Sequence, residues 1–235
     1  VASVWSFSSV TACTLTVSMP SGISAGDLLL TFAFRTEFSS FTPPSGWTTV
    51  TSQLVGDGFS IEGTQYIYAK LAAGSDTLDL SGSGSVDGAA ICVRVTGHGV
   101  ATISTDVKKS SASGSSTSSN YDPSSYDVGS SNDWLWFSYL AMHMTSTGQS
   151  ISGVPSGWTS RGTGESASDA TGCSIGVAAK AETVQTQNAG AWTNSSARVG
   201  HFYVAIPPSG GGASDRTQSR LLAATSAAVG RASNW

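Results

Sequence analysis

The chain has 235 residues, which is enough for one large β domain or for two small ones with buried cores. Charged residues make up only 11% of it while Ser, Thr and Gly abound, a composition that is unusual for a cytosolic enzyme. The net charge of −4 argues against nucleic acid as the main partner, and no stretch reaches the ~18 apolar residues of a membrane span.

Alternating side chains predict β-strands along the first half. In each of residues 28–35, 67–71 and 91–95, every second side chain is apolar, so each run places one set of side chains on one face of a sheet. Glycine- and proline-rich turns separate the runs. This spacing predicts an all-β protein with a jelly-roll-like β-sandwich.

An internal repeat organises the chain. Pro44–Thr48 returns 111 residues later as Pro155–Thr159 with the same five residues. Three other segments return at similar spacings, namely Gly26–Leu30 as Asn132–Trp136 at 106 residues, Ile67–Lys70 as Val177–Lys180 at 110, and Ile91–Val95 as Phe202–Ile206 at 111. A chance match of five residues would not be accompanied by these echoes.

We therefore predict two copies of one β unit, with repeat 1 at about residues 1–103 and repeat 2 at about residues 104–207. One half offers few strands to bury two faces, so both halves are expected to contribute strands to shared sheets within one domain over 1–207. The polar start of repeat 2, residues 104–132, is expected to be an exposed connection between the halves.

Trp47 and Trp158 occupy the same place in the two repeats, directly after Pro-Ser-Gly. Aromatic rings on a β surface can stack against sugars, which would make them binding residues. A repeated position in a repeated unit more often anchors a core, so we interpret both as structural anchors.

Residues 134–140 break the alternation, because they are apolar at both parities. A strand here is buried on both faces, either inside the molecule or at a contact with another subunit. In the second case Trp134 and Trp136 would be partner-docking residues.

The three cysteines allow no complete set of disulfides. Cys13 and Cys173 share parity with apolar neighbours and are expected to face the core, whereas Cys92 has the opposite parity to its neighbours. Three buried thiols are the simplest interpretation, and a Cys13–Cys173 bridge stays open.

The C-terminal residues 208–235 differ from the rest and are predicted to be a linker followed by a docking segment. A Gly-rich stretch is followed by good helix formers with a narrow apolar stripe, so a short helix and a disordered tail are both open. The residues expected to contact a partner are the apolar Leu221, Leu222, Val229 and Trp235, and the cationic Arg216, Arg220 and Arg231.

No residue pattern in the chain predicts catalysis, a metal or a cofactor. His98, His143 and His201 stand singly, without the spacing of metal ligands or of a nucleophile motif. Asp76, Asp79 and Asp87 could ligate calcium but are more typical of solvated turns. The sequon at Asn194 matters only on a secretory route that glycosylates.

Several of these segments together resemble a group of tailed-phage and prophage virion proteins. The similarity covers about residues 10–207 and is carried by Gly-Asp-Leu-Leu-Leu (26–30), Pro-Ser-Gly-Trp-Thr (44–48), Tyr-Ile-Tyr-Ala-Lys (66–70) and Arg-Val-Thr-Gly (94–97). The resemblance implies a jelly-roll-like sandwich on the outside of a virion, in a capsid-decoration, head-fibre or tail-fibre role.

We accordingly expect a non-enzymatic capsid-decoration protein at the virion surface, whose partners are other virion proteins and further copies of itself. The alternative is an extracellular carbohydrate-binding module or a receptor-binding fibre domain that contacts a host surface glycan. A secreted hydrolase ranks last, because no catalytic constellation is visible.

Overall fold

The structure is a computed structural model that describes residues 2–16, 19–36, 45–56, 61–111, 117–166 and 172–209. Within these ranges the side chains of residues 2–16, 61–62, 79 and 81–87 are not described. The described chain is nearly all β, and antiparallel sheets pack against each other, which confirms the predicted all-β sandwich.

The first half of the chain forms one five-stranded antiparallel sheet, called sheet 1. Its order is β1-β5-β2-β4-β3. The strands are β1 (Ala2–Thr16), β2 (Leu28–Thr36), β3 (Thr48–Gly56), β4 (Ile61–Leu71) and β5 (Asp79–Val95).

The second half forms a six-stranded sheet, called sheet 2, with the order β10-β11-β8-β13-β6 and with β7 also paired to β13. A two-stranded ribbon of β9 and β12 accompanies it. The elements are α1 (Ile103–Asp106), β6 (Lys108–Lys109), β7 (Thr117–Ser118), β8 (Tyr126–His143), β9 (Ile151–Gly153), β10 (Thr159–Glu165), β11 (Cys173–Gln187), β12 (Thr193–Asn194) and β13 (Ala197–Ile206).

The expectation that both halves share sheets is wrong, because each half builds its own sheet. The halves are joined instead by one apolar core between the sheets, which contains side chains from both. The jelly-roll strand order is not confirmed either, since in a jelly roll the chain alternates between two sheets, whereas here consecutive strands stay in one sheet. Residues 104–132 were expected to be an exposed connection; where they are described they are mostly exposed, and they also include β6, β7 and the start of β8.

The two sheets have the same strand order and the same register. Strands β5-β2-β4-β3 of sheet 1 correspond in chain order to β13-β8-β11-β10 of sheet 2. Leu28 in β2 lies opposite Leu71 and Val95, and Leu135 in β8 lies opposite Ala181 and Ile206. Both edge strands also carry an irregularity at matching places, between Thr49 and Thr51 in β3 and between Ser160 and Gly162 in β10.

The register of the strands shows that one of the sequence matches between the repeats is off by one residue. Leu28 corresponds to Leu135, a displacement of 107 rather than 106, so Asp27 corresponds to Trp134 instead of Asp133. The physical reason is the two-residue period of a strand, because a slip of one residue would turn the apolar set of β8 away from the core.

The core between the sheets uses the predicted apolar parity of β2. Phe32 packs against Phe137 and Tyr139 of β8, with ring centroids 5.6 and 5.3 Å apart. Hydrogen bonds also cross from sheet to sheet, among them one from the Tyr139 hydroxyl to the Ala33 carbonyl (2.7 Å) and one from Gln65 Nε2 to the Gly200 carbonyl (2.8 Å). They satisfy polar groups that would otherwise be costly to bury.

The outer face of each sheet is also buried, under the chain's own loops. The outer cluster of sheet 1 includes Leu29, Ala33 and Trp47, and that of sheet 2 is rich in tryptophan and tyrosine. All nine residues of β2 are buried, so both faces of this strand are covered. Burial on both faces is therefore a property of both central strands, β2 and β8.

Candidate functional site

Trp47 and Trp158 lie buried at the starts of matching strands. Gly46 and Gly157 precede them with positive φ angles of 76° and 79°, a conformation that favours glycine and turns the chain into β3 and β10. Trp47 is 7% exposed and Trp158 8%. The indole faces are thus covered by the outer clusters and are not available for stacking on a sugar.

Trp134 and Trp136 belong to the outer cluster of sheet 2. They are 4% and 0% exposed, and Trp136 makes edge contacts with the rings of Tyr126 and Tyr203. Of the two interpretations of the doubly apolar strand, this placement favours the core over a subunit contact. Side chains that the chain already covers offer little area to a partner, and the docking role of these two residues stays a prediction.

The Gly-Asp and Arg-Val-Thr-Gly segments meet in a structural clasp. One oxygen of Asp27, Oδ2, accepts hydrogen bonds from the Ser24 amide at 2.7 Å and from Arg94 Nε at 2.6 Å. The Ser24 amide, and then Arg94, hold the pKa of the Asp27 carboxyl below its usual value. The clasp ties the turn before β2 to the end of β5.

A serine, a histidine and a tryptophan form a buried cluster that the sequence analysis did not find. Ser138 Oγ lies 2.8 Å from His201 Nε2, and Trp192 Nε1 donates to the same oxygen at 3.1 Å. Ser138 and His201 are both 0% exposed. The tautomer of His201 sets the direction of its hydrogen bond with Ser138. Burial lowers the pKa of His201 to about 3, so the ring is neutral at neutral pH.

This cluster contains the side chains of a Ser–His dyad, but a substrate has no access to them. A nucleophilic serine must reach a substrate, whereas Ser138 is enclosed by the outer cluster of sheet 2 and its oxygen is held by Trp192. Since the serine and the histidine come from neighbouring strands β8 and β13, no linear motif could have identified them.

The remaining candidate polar residues also hold turns or strands together. Asp76 is paired with Lys70 at 2.8 Å and accepts the amides of Ala73 and Gly74, so it acts as a turn residue. The side chains of Asp79 and Asp87 are outside the described set. In the part of the chain that the structure describes, no three His, Cys, Asp or Glu side chains form a group that could hold a metal ion.

Cys92 and Cys173 lie on opposite faces of their sheets, as their parities relative to the apolar neighbours indicate. Cys173 is buried in the core between the sheets, and Cys92 is a buried free thiol on the opposite, outer face of sheet 1. Burial raises the pKa of the Cys92 thiol to about 11, which makes it unreactive at neutral pH. The side chain of Cys13 is outside the described set, so its pairing stays a prediction.

The sequon at Asn194 is closed by the fold. Asn194 is 5% exposed, and its amide oxygen accepts from the Tyr121 amide at 2.8 Å. Its Nδ2 donates to the carbonyls of Ser118 (2.9 Å) and Ser195 (2.8 Å). The nitrogen that a glycan would modify is therefore fully used inside the folded protein.

A hollow that we call the end cleft has a volume of about 670 Å³ and lies where β5 and β13 end. Its walls combine apolar side chains with the carboxylates of Asp133 and Glu182 and the imidazole of His98. His98 Nδ1 accepts from the Val100 amide, so Nε2 carries the proton and donates to the Gly26 carbonyl at 3.0 Å. The cleft lining is Val95, Thr96, Gly97, His98, Asp133, Trp134, Leu135, Ala181, Glu182, Thr183, Ile206, Pro207 and Pro208.

Comparisons with known proteins identify no relative: no family model, curated protein or solved structure matches the chain. Among the described residues, no helix is long and apolar enough to cross a membrane. The predicted tail contacts all fall outside the described residues and stay predictions; they are Arg216, Arg220, Leu221, Leu222, Val229, Arg231 and Trp235.

Proposed function

We propose that this protein is a non-enzymatic structural protein of a virion, exposed on the particle as a capsid-decoration protein. The proposal rests on the resemblance to virion proteins, and the observation that supports it is that the residues of the shared motifs stabilise the fold. Asp27 and Arg94 form the clasp at the end of sheet 1, and Trp47 anchors its outer cluster. Motif residues with a structural role fit a protein whose function is structural.

The matching strand order and register of the two sheets support a further part of the proposal, the duplication of one β unit. Two copies packed face to face bury both central strands and yield a sandwich with few charges. Such a body suits an accessory protein that binds a particle as a rigid unit.

Attachment is assigned to the C-terminal residues 208–235. Leu54, at 51% exposure, is the one large apolar side chain exposed among the described residues, so the described sandwich offers little apolar area for docking. The tail contains the apolar residues Leu221, Leu222 and Trp235 and three arginines, which are residue types that bind a partner.

Co-sedimentation with particles that lack the protein tests the proposal. The full chain should pellet with the particles, and a chain ending at Ser209 should stay in the supernatant. A full chain with Arg198, which lies on β13, changed to Gln is the matched control and should pellet normally. If the full chain fails to pellet, the virion role is wrong. If the truncated chain pellets equally well, attachment belongs to the sandwich.

The carbohydrate-binding alternative depended on exposed aromatic rings. Because Trp47 and Trp158 are buried, no observation on the described residues favours it. Specific binding of the full chain on a glycan array would restore it.

A further inference from the structure

We propose that two copies of this protein pair along β3, antiparallel about a two-fold axis, so that sheet 1 continues from one copy into the other. This goes beyond the virion role, because it concerns the free protein and names the strand that joins its copies. Support comes from the unpaired side of β3, from its lack of charge and from the contrast with its counterpart β10.

β3 is an edge strand with an unpaired side. It lies at one end of sheet 1, and among the described residues its backbone hydrogen-bonds only to β4. The amides and carbonyls that point away from β4 can therefore pair with another strand. Residues 51–55 pair with β4 without a break, so the other side of β3 offers a regular run of main-chain groups there.

The sequence of β3 contains nothing that opposes pairing. Natural sheet edges are commonly protected by charged side chains, by proline or by short length. β3 has nine residues, none of which is charged and none of which is proline. By contrast β6, an edge of sheet 2, is two residues long and consists of Lys108 and Lys109. Two copies of β3 can therefore pair without bringing like charges together.

β10, the counterpart of β3 in the second half, carries the protection that β3 lacks. The matching registers align Leu54 with Glu165, and Val50 with Arg161. β10 is also shorter, with seven residues, and two of them are glycines. Charges protect an edge and glycines weaken a strand. Of these two matching edges, β3 is therefore the one suited to pairing.

A second copy is the occupant that fits this edge. Antiparallel pairing of β3 with itself occupies the same edge on both copies, so a single contact closes the dimer and leaves no β3 edge for a third copy. Ser52 is the middle residue of the nine, so full overlap of the two strands places both Ser52 side chains close to the axis. Ser52 is exposed on the single copy, and its small side chain leaves room for the second strand.

Sedimentation equilibrium of the full chain over a range of concentrations tests the proposal. The wild type should show a monomer–dimer equilibrium. Ser52→Lys should raise its Kd about tenfold, because two lysines would face each other near the axis. The matched control is Thr163→Lys, at the exposed β10 residue that aligns with Ser52, and it should keep the Kd of the wild type. Urea midpoints at low concentration show that both variants fold.

Hydrogen exchange of the same samples locates the contact. Amides of residues 48–56 should exchange more slowly as the wild-type concentration rises, and amides of residues 159–165 should not. A wild type that stays monomeric, or a dimer that Ser52→Lys leaves unchanged, would overturn the proposal. A dimer weakened by Thr163→Lys instead would also overturn it and assign the contact to β10. None of these results depends on the virion role, because only the free protein is used.

Discussion

The buried His201 should make the protein lose stability in mild acid. The ring is enclosed in the outer cluster of sheet 2, with Ser138 at 2.8 Å and the Tyr203 ring at a centroid distance of 4.5 Å. Burial lowers its pKa to about 3, whereas an unfolded histidine titrates near 6.5. Protonation of His201 in the folded state would place a charge among apolar side chains. The proton therefore binds to the unfolded state first.

The sign follows from which state binds the proton. Above pH 6.5 His201 is neutral in both states and adds no pH dependence. Below pH 6.5 the unfolded chain binds a proton that the folded chain rejects, so the free energy of unfolding falls as the pH drops, by up to about 1.4 kcal/mol per pH unit until the folded pKa is reached. Between pH 7.5 and 4.5 this one residue should cost about 2.5 kcal/mol.

Urea denaturation at several pH values, compared between the wild type and His201→Gln, measures this contribution. Acidic residues titrate in both proteins and cancel in the difference, so the variant should show the shallower fall by about 2.5 kcal/mol. Ser138→Ala is the matched control. It removes a hydrogen-bonded hydroxyl from the same cluster, so it should cost about 1–3 kcal/mol at every pH without changing the slope. Parallel curves for the wild type and His201→Gln would refute the reasoning.

Three further predictions concern the fold and its surface. Changing Trp47 or Trp158 to Ala should lower the free energy of unfolding by about 3–5 kcal/mol, while Leu54→Ala, at an exposed site, should change it by less than about 0.5 kcal/mol; urea midpoints check both. Asn194 should stay unmodified when the protein is made in a host that glycosylates, because its amide is buried and hydrogen-bonded; a glycan mass at Asn194 in the folded protein would contradict this. Residues 1–103 expressed alone should not fold cooperatively, because sheet 1 would expose the face that packs on sheet 2, and a sharp two-state transition would contradict this.

The sequence predicted those features that local patterns encode. The period of two in β2 placed Phe32 in the core, and the repeated Pro-Ser-Gly-Trp marked the start of two matching strands. It did not reveal which strands pair, since pairing depends on the whole chain. For that reason the expectation of shared sheets was wrong, although the sequence had indicated the division into two halves.

Spatial coincidences could not be predicted either. Ser138 and His201 come from strands that neither follow one another nor share a motif, and only the pairing of β8 with β13 brings them together. The burial of Trp134 and Trp136 depends on loops that fold back over sheet 2. A doubly apolar strand carries the same sequence whether loops or another subunit cover it.

The most direct test of the virion role is electron microscopy of purified particles labelled with a gold-conjugated antibody against the sandwich. The account predicts label distributed over the outside of the capsid. Label confined to fibres would replace decoration by a fibre role, and unlabelled particles, with the protein recovered only from the particle-free fraction, would contradict the account.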